Sequence, residues 1–271
     1  TYAENVDFSG TDITVQSEDP DDPSVVAATV IDGGAAGSVV SIANGETSAA
    51  VLEGFTIQNG SASDGGGIYC SGTSPVIRKN VITGNVTSGD GAGVHVYGGS
   101  ADIIGNVIHN NDATDQNAGG IWYEQGSGSI ENNLVYENHA WWNGGGIYCW
   151  NSSPTLANNT VADNSAENTS GGGLRCHTDA SVTMTNCLLW ANAAPNGAQI
   201  AIANNSTLTV SYSDVEGGET GVDVSSSTLN WNAGNVDSDP LFADAANDDY
   251  HIDSGSPCID AADGDAAPAT D

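Results

Sequence analysis

Ser170-Gly171-Gly172-Gly173-Leu174-Arg175-Cys176-His177 is one copy of a motif that returns along the chain at a nearly fixed step. Earlier copies are Gly65-Gly66-Gly67-Ile68-Tyr69-Cys70, Gly91-Ala92-Gly93-Val94-His95-Val96, Ala118-Gly119-Gly120-Ile121-Trp122-Tyr123 and Gly144-Gly145-Gly146-Ile147-Tyr148-Cys149. A weaker copy follows at Gly197-Ala198-Gln199-Ile200. The aliphatic residue after the glycines falls at 68, 94, 121, 147, 174 and 200, so the steps are 26, 27, 26, 27 and 26. Self-similarity at that period is the mark of a solenoid, in which each unit buries its apolar face only by stacking on its neighbours.

Two further short runs complete each repeat. The second-strand candidates are Pro75-Val76-Ile77, Asp102-Ile103-Ile104, Ser129-Ile130-Glu131, Pro154-Thr155-Leu156 and Val182-Thr183-Met184. The third are Val81-Ile82-Thr83, Val107-Ile108-His109, Leu134-Val135-Tyr136, Thr160-Val161-Ala162 and Cys187-Leu188-Leu189. An asparagine precedes each third strand, at 80, 106, 133, 159 and 186, and a second series follows at 85, 111, 138, 164 and 192. Stacked one per coil about 4.8 Å apart, such amides can bond their neighbours above and below, and Asn tolerates the left-handed backbone of a tight bend.

Upstream, Asn5–Phe8, Asp12–Val15, Ala28–Ile31, Gly37–Ile42 and Val51–Ile57 read as strands between turn clusters, and Ser17–Pro23 reads as a loop. No stretch sustains a 3.6-residue period, so almost no helix is expected. These features predict an all-β fold: one parallel β-helix of about nine coils with three parallel sheets. Residues 1–64 form irregular first coils, 65–225 regular ones and 226–271 a closing segment, all in a single domain.

Composition narrows function. Three basic residues, Arg78, Lys79 and Arg175, face 35 acidic ones, for a formal charge of −32. Phosphate neutralisation needs clustered Lys and Arg, so nucleic acid is excluded as a partner, and anionic lipid with it. No apolar run approaches the roughly 20 residues of a membrane helix, so no membrane insertion is expected. The acidity suits a solvated surface in high salt, or carboxylates for Ca²⁺. Asp19–Asp22 and Asn247-Asp248-Asp249 lack a Ca²⁺-loop spacing and read as solvated loops, so no metal ligand is assigned and no cofactor is required. The five cysteines, 70, 149, 176, 187 and 258, form no C-x-x-C. Cys149 and Cys176 fall on successive coils and can approach one another, bonded or free.

The chain as a whole resembles the right-handed parallel β-helix proteins of the pectin-lyase-like group, and within it the secreted and surface repeat proteins of environmental bacteria and archaea. Thr1-Tyr2-Ala3-Glu4-Asn5-Val6 is similar to the tail of that family's opening coil. Asp239-Pro240-Leu241-Phe242 through Tyr250-His251-Ile252 and Gly255-Ser256-Pro257-Cys258-Ile259-Asp260 resemble its closing segment. Ser9, Gly10 and Thr11 stand where relatives carry basic residues. The resemblance implies a secreted or cell-surface location, and with the acidity a saline habitat. An opening in mid-coil carries the expectation of a longer parent polypeptide. The same scaffold hosts lyases, hydrolases, adhesins and surface proteins, so function must come from the site.

Alternation within the glycine-motif strand sorts its side chains. With Ile68, Val94, Ile121, Ile147 and Leu174 inward, Cys70, Val96, Tyr123, Cys149 and Cys176 point inward too. Two outward columns remain: Tyr69, His95, Trp122, Tyr148 and Arg175, then Ser71, Tyr97, Glu124, Trp150 and His177. His139, Trp141 and Trp142 lie on the loop before the Trp150 strand. Five aromatic residues among ten outward positions predict an exposed binding face for a polysaccharide or a partner chain. Trp122, Tyr148 and Trp150 would stack the ligand, with Trp141, Trp142 and Tyr69 beside them. Tyr97, His95, His177 and Glu124 would bond its hydroxyls, and Arg175 would meet a carboxylate. The alternatives are a loop that folds over the rings, a polysaccharide lyase with Arg175 or His177 as base and Glu124 nearby, and coils that stack end to end into a filament. The leading reading is a non-catalytic surface or adhesive module.

Overall fold

The computed structural model describes residues 1–264. The chain winds into a three-sided parallel solenoid of nine coils, and each side is a nine-stranded sheet whose strands follow coil order. The first sheet carries the glycine motif: Ile68–Ser71, Val94–Tyr97, Ile121–Glu124, Ile147–Trp150 and Leu174–His177 are consecutive strands in exact register, Ile68 beside Val94 and Ile121 beside Ile147. The second sheet contains Val76–Arg78 through Thr207–Ser211, and the third Val81–Thr83 through Leu188–Trp190. A short fourth sheet, Ser61–Ala62 to Ser165–Ala166, lies between the third and the first.

The core follows from the alternation. Ile68, Val94, Ile121, Ile147, Leu174 and Ile200 are fully buried, as are Cys70, Val96, Tyr123, Cys149 and Cys176 two residues on. Full burial of each such aliphatic side chain is worth about 1.5–3 kcal/mol. Tyr123 is tolerated inside because its Oη donates to the Ala101 carbonyl (2.9 Å) and accepts the Gly128 N–H (2.8 Å). All five cysteines are free thiols; Cys149 and Cys176 sit side by side in register.

Both asparagine ladders form. Asn138 gives its Nδ2–H to Asn164 Oδ1 (2.9 Å) and to the Ile108 carbonyl (2.8 Å), while its Oδ1 accepts the N–H and Nδ2–H of Asn111. The residue before each ladder position turns the corner in the left-handed region, as at Lys79, Asn110, Asn132, Glu137 and Asp163. Asn186 departs from expectation. The step from Asn159 is 28 residues rather than 27, so Cys187 occupies the ladder and receives the Asn159 Nδ2–H, while Asn186 becomes the corner residue. Ser213 and Asn235 continue that column, through bonds from Cys187 N–H and Ser213 N–H.

Two upstream runs also differ. Val51–Ile57 is two strands on different sheets, Val51–Glu53 and Thr56–Gln58, because Gly54 bends the chain at φ +80°. Pro23–Ala28 is a single short helix, with Asp22 capping it through the Ser24 N–H and Pro at the first helical position. Asp21 of the acidic run pairs with Lys79, and Arg78 pairs with Glu53.

Past the ninth coil the chain folds back along the flank. The antiparallel pair Phe242–Asp244 and Asp249–Ile252 covers the outer face of the third sheet. Tyr250 packs on Tyr136 (ring centroids 4.8 Å) and donates to Asp163 Oδ2 (2.9 Å), and Tyr136 stacks on His109 at 4.7 Å. Residues 265–271 of the closing segment lie outside the described residues.

Candidate functional site

The two outward columns of the first sheet differ in what lies over them. Tyr69, His95, Trp122, Tyr148, Arg175 and Ala201 stack in register, as do Ser71, Tyr97, Glu124, Trp150, His177 and Ala203. The first of these columns is not the open face its aromatic content suggests. His95, Trp122, Tyr148 and Arg175 are buried, Arg175 to 8% exposure and Tyr148 to 2%. The cause is the glycine loop itself. Gly144 and Gly171 take φ +66° and +69°, and a Cβ there would lie 2.7 Å from Tyr148 Cβ and 2.9 Å from Arg175 Cβ. Each motif's first residue therefore lays backbone directly on the first column. The last glycine admits the ladder, since a Cβ on Gly146 would meet Asn164 Nδ2 at 3.0 Å.

The second column stays accessible. Tyr97 is exposed, and Glu124, Trp150 and His177 are half-buried. Trp150 stacks on buried Trp122 (6.0 Å, 26°) and lies 4.9 Å from His177. Trp122 Nε1–H donates to Glu124 Oε2 at 3.0 Å, which fixes that carboxylate at the surface. Just beyond this column, at the corner between the first and second sheets, runs a shallow groove of about 430 Å³. It crosses three coils and is lined by Ser100, Gln125, Ser127, Asn151 and Ser153 among glycines. The corner residues Gln125 and Asn151 adopt φ 53° and 44°, so their side chains belong to a turn rather than a strand.

On the loop across the first column, Trp141 and Trp142 are 38% and 41% exposed. His139 sits beside them, with Nδ1 2.7 Å from Asp112 Oδ1 and Nε2 3.4 Å from Glu167 Oε2. Tyr69, at the upstream end of the first column, is half-buried and opens on a separate cavity of about 710 Å³.

The three residues considered for catalysis do not converge on an open position. Arg175 Nε is buried without a hydrogen-bond partner, and the guanidinium lies against Tyr148, whose phenol burial pushes up while Arg175 pulls it back. His177 uses both ring nitrogens, Nδ1 with Thr178 Oγ1 (2.7 Å) and Nε2 with Asn204 Nδ2 (2.9 Å). Burial, then Arg175, lower its pKa, so the ring is neutral near pH 7. Glu124 is held by Trp122. Among the described residues no group of three or more His, Cys, Asp or Glu side chains is placed to hold a metal ion. Nor is any helix of the described residues long and apolar enough to cross a membrane.

One set of residues escaped the sequence reading. Asp64, Asp90, Asn117, Asn143 and Ser170 recur at steps of 26, 27, 26 and 27 in the loop before the first sheet, and they form a third ladder. Asn117 gives both its N–H and Nδ2–H to Asp90 Oδ1 (3.1 and 3.0 Å). Asn143 Nδ2–H bonds Asn117 Oδ1 (2.9 Å), and Ser170 Oγ–H bonds Asn143 Oδ1 (3.0 Å). Burial raises the Asp90 carboxyl above the usual range, against the pull of Asn117. His95 Nδ1 lies 3.1 Å from the Asp90 carbonyl, and burial lowers its pKa. The period alone could have found this ladder; its mixture of Asp, Asn and Ser hid it.

A family model described as a right handed beta helix region matches residues 4–161 and again 66–236. The chain belongs to the right-handed β-helix family. The two overlapping matches run across this β-helix from its first coil to beyond its ninth first-sheet strand, and leave out the flank hairpin. No curated protein and no solved structure matches this β-helix significantly.

Proposed function

We propose that this β-helix is a non-catalytic, extracellular module that binds polysaccharide along the corner between its first and second sheets. The observation that carries the reading is the juxtaposition of half-open rings and a hydroxyl- and amide-lined groove across the same coils. Tyr97 and Trp150 offer flat faces for sugar rings, and Glu124 and His177 stand between and beside them. Ser100, Gln125, Ser127 and Asn151 supply donors and acceptors for hydroxyls one step away. A coil repeat of about 4.8 Å spaces these groups evenly along the axis, which suits a linear polymer. The charge of −32 favours a neutral polymer over a polyanion. Extracellular location rests on the acidity and the family resemblance.

The lyase reading fares worse, because Arg175 lies beneath the glycine loop and His177 has both nitrogens engaged. End-to-end assembly is the other alternative, because a parallel stack leaves unpaired strand edges at whichever coil is last. Sedimentation velocity tests it, and a monomer at all concentrations would remove it. The main test is a panel of neutral and uronate polysaccharides in affinity electrophoresis, with absorbance of unsaturated products followed in parallel. The expected result is retardation by a neutral polymer without product. Trp150→Ala should weaken binding about tenfold, the equivalent of about 1.4 kcal/mol of lost stacking. Product formation, or binding indifferent to Trp150, would overturn the reading.

A further inference from the structure

The third ladder runs opposite to the other two. Asn80 gives its N–H and Nδ2–H to Asn106 on the following coil, and Asn85 does the same to Asn111. In the third ladder Ser170, Asn143 and Asn117 each donate to the preceding coil, and the Asp90 N–H donates to Asp64 Oδ1 at 3.2 Å. Aligned in this sense, the rungs turn their donors toward the first coils and their oxygens toward the later ones. The residue that ends the row upstream receives those donors, and a carboxylate in that place carries one oxygen more than the row uses.

Asp64 occupies that end. Its Oδ1 takes the Asp90 N–H, and Oδ2 receives no hydrogen bond among the described residues. The nearest cationic candidate, His95 Nδ1, is 3.9 Å from Oδ1, and its ring is held neutral by burial. Neither Lys nor Arg pairs with Asp64. Asp64 lines the cavity of about 710 Å³ together with Ser38, Ser61, Ser63, Ser88 and Tyr69. Tyr69 is braced from behind by His95, edge-on at 5.5 Å. A fixed carboxylate oxygen, hydroxyls around it and a braced aromatic wall are complementary to a polyol with an apolar ring face. Hydroxyl donors to a carboxylate form the stronger, charge-assisted class of hydrogen bond.

We infer that this cavity is a second saccharide site, in which Asp64 accepts hydrogen bonds from vicinal hydroxyls of a neutral sugar seated against Tyr69. It lies on the opposite margin of the first sheet from the corner groove, on the loops that enter the strands rather than those that leave them. It rests on the polysaccharide reading for its class of ligand, but on separate residues.

Saturation-transfer NMR on the full chain tests it, with methyl glucoside, methyl mannoside and N-acetylglucosamine as probes and calcium chloride as a separate arm. Transfer to at least one sugar is expected in the unaltered protein. Because Trp150→Ala weakens the corner groove, the variants are made in that background, where transfer is expected to persist and to be lost when Asp64→Asn or Tyr69→Ala is added. Asp64→Asn keeps the fold because Asn already fills the equivalent rungs at 117 and 143; Tyr69→Ala gives an independent variant of the ring. Absence of transfer, or transfer unchanged in Asp64→Asn, overturns the inference. Chemical shifts at Asp64 that follow Ca²⁺ and ignore sugar would make this a cation site and overturn it equally. Transfer lost in Asp64→Asn while every polymer fails to retard the protein would instead sink the corner groove and leave this site standing.

Discussion

Single side chains in this solenoid are held by partners one coil away, so the cost of a substitution depends on what it strands there. Asn138→Ala would leave Asn111 and Asn164 without their shared rung and the Ile108 carbonyl without its donor. Each buried group left unmet costs about 1–3 kcal/mol, so a loss of roughly 3–5 kcal/mol is expected in urea denaturation. Asp90 tests the opposite sign. Its folded pKa lies above the ordinary 3.8, so the ionised carboxylate is disfavoured in the folded chain relative to the unfolded one. That penalty is fully present above the raised pKa and disappears as pH falls through it toward 3.8. Asp90→Asn, which keeps an oxygen for Asn117, should therefore raise the melting temperature at pH 7, with the gain fading as pH falls through the raised pKa toward 3.8 and gone by pH 3. An equal gain at pH 3 would contradict the assignment.

Elements behave differently according to whether they belong to the stack. The flank hairpin at residues 242–252 is fastened by Tyr250 against Tyr136 and Phe242 and by one bond to Asp163. Tyr250→Ala should remove about 3 kcal/mol or more of local packing. The expected outcome is faster proteolytic cleavage between Val236 and Ile252 with an unchanged β-sheet circular dichroism. Loss of the whole fold would show that the hairpin is part of the cooperative unit. The contrast also explains what the sequence disclosed. Strands of the stack announce themselves because each repeats its neighbour, so Ile68, Ile147 and Leu174 and the rungs at 80, 106, 133 and 159 could be placed by counting. Counting failed at Asn186, where a coil of 28 residues moved the rung to Cys187. It failed again over the first sheet, where alternation correctly turned Trp122 and Tyr148 outward but is blind to a loop lying on top of them. The corner groove was illegible because its residues sit in turns, whose side-chain directions no strand pattern encodes.

At the scale of the whole molecule, charge and stacking set the behaviour. With 35 acidic and three basic residues, self-repulsion weakens the compact state, and salt that shortens the Debye length to about 3 Å at 1 M relieves it. The melting temperature should rise between 0.05 and 1 M NaCl, and a fall would refute the saline-habitat reading. Histidines push the other way on acidification. His95, His109 and His177 all have pKa values lowered from 6.5 by burial, so the unfolded chain takes up protons first. Their stability contribution is present above pH 6.5 and declines below it; urea midpoints in molar salt should drop from pH 7.5 to 5.5. Finally, all three long sheets join each coil only to the one before and the one after. Excision of residues 121–146 would set Ile147 on Val94, Asn159 on Asn106 and Asn164 on Asn111, the same chemical matches that exist now. Recombination between repeats can thus change copy number by one without disturbing either end. The valence of the surface, counted in rungs along the corner, becomes a quantity that gene length alone can dial up or down.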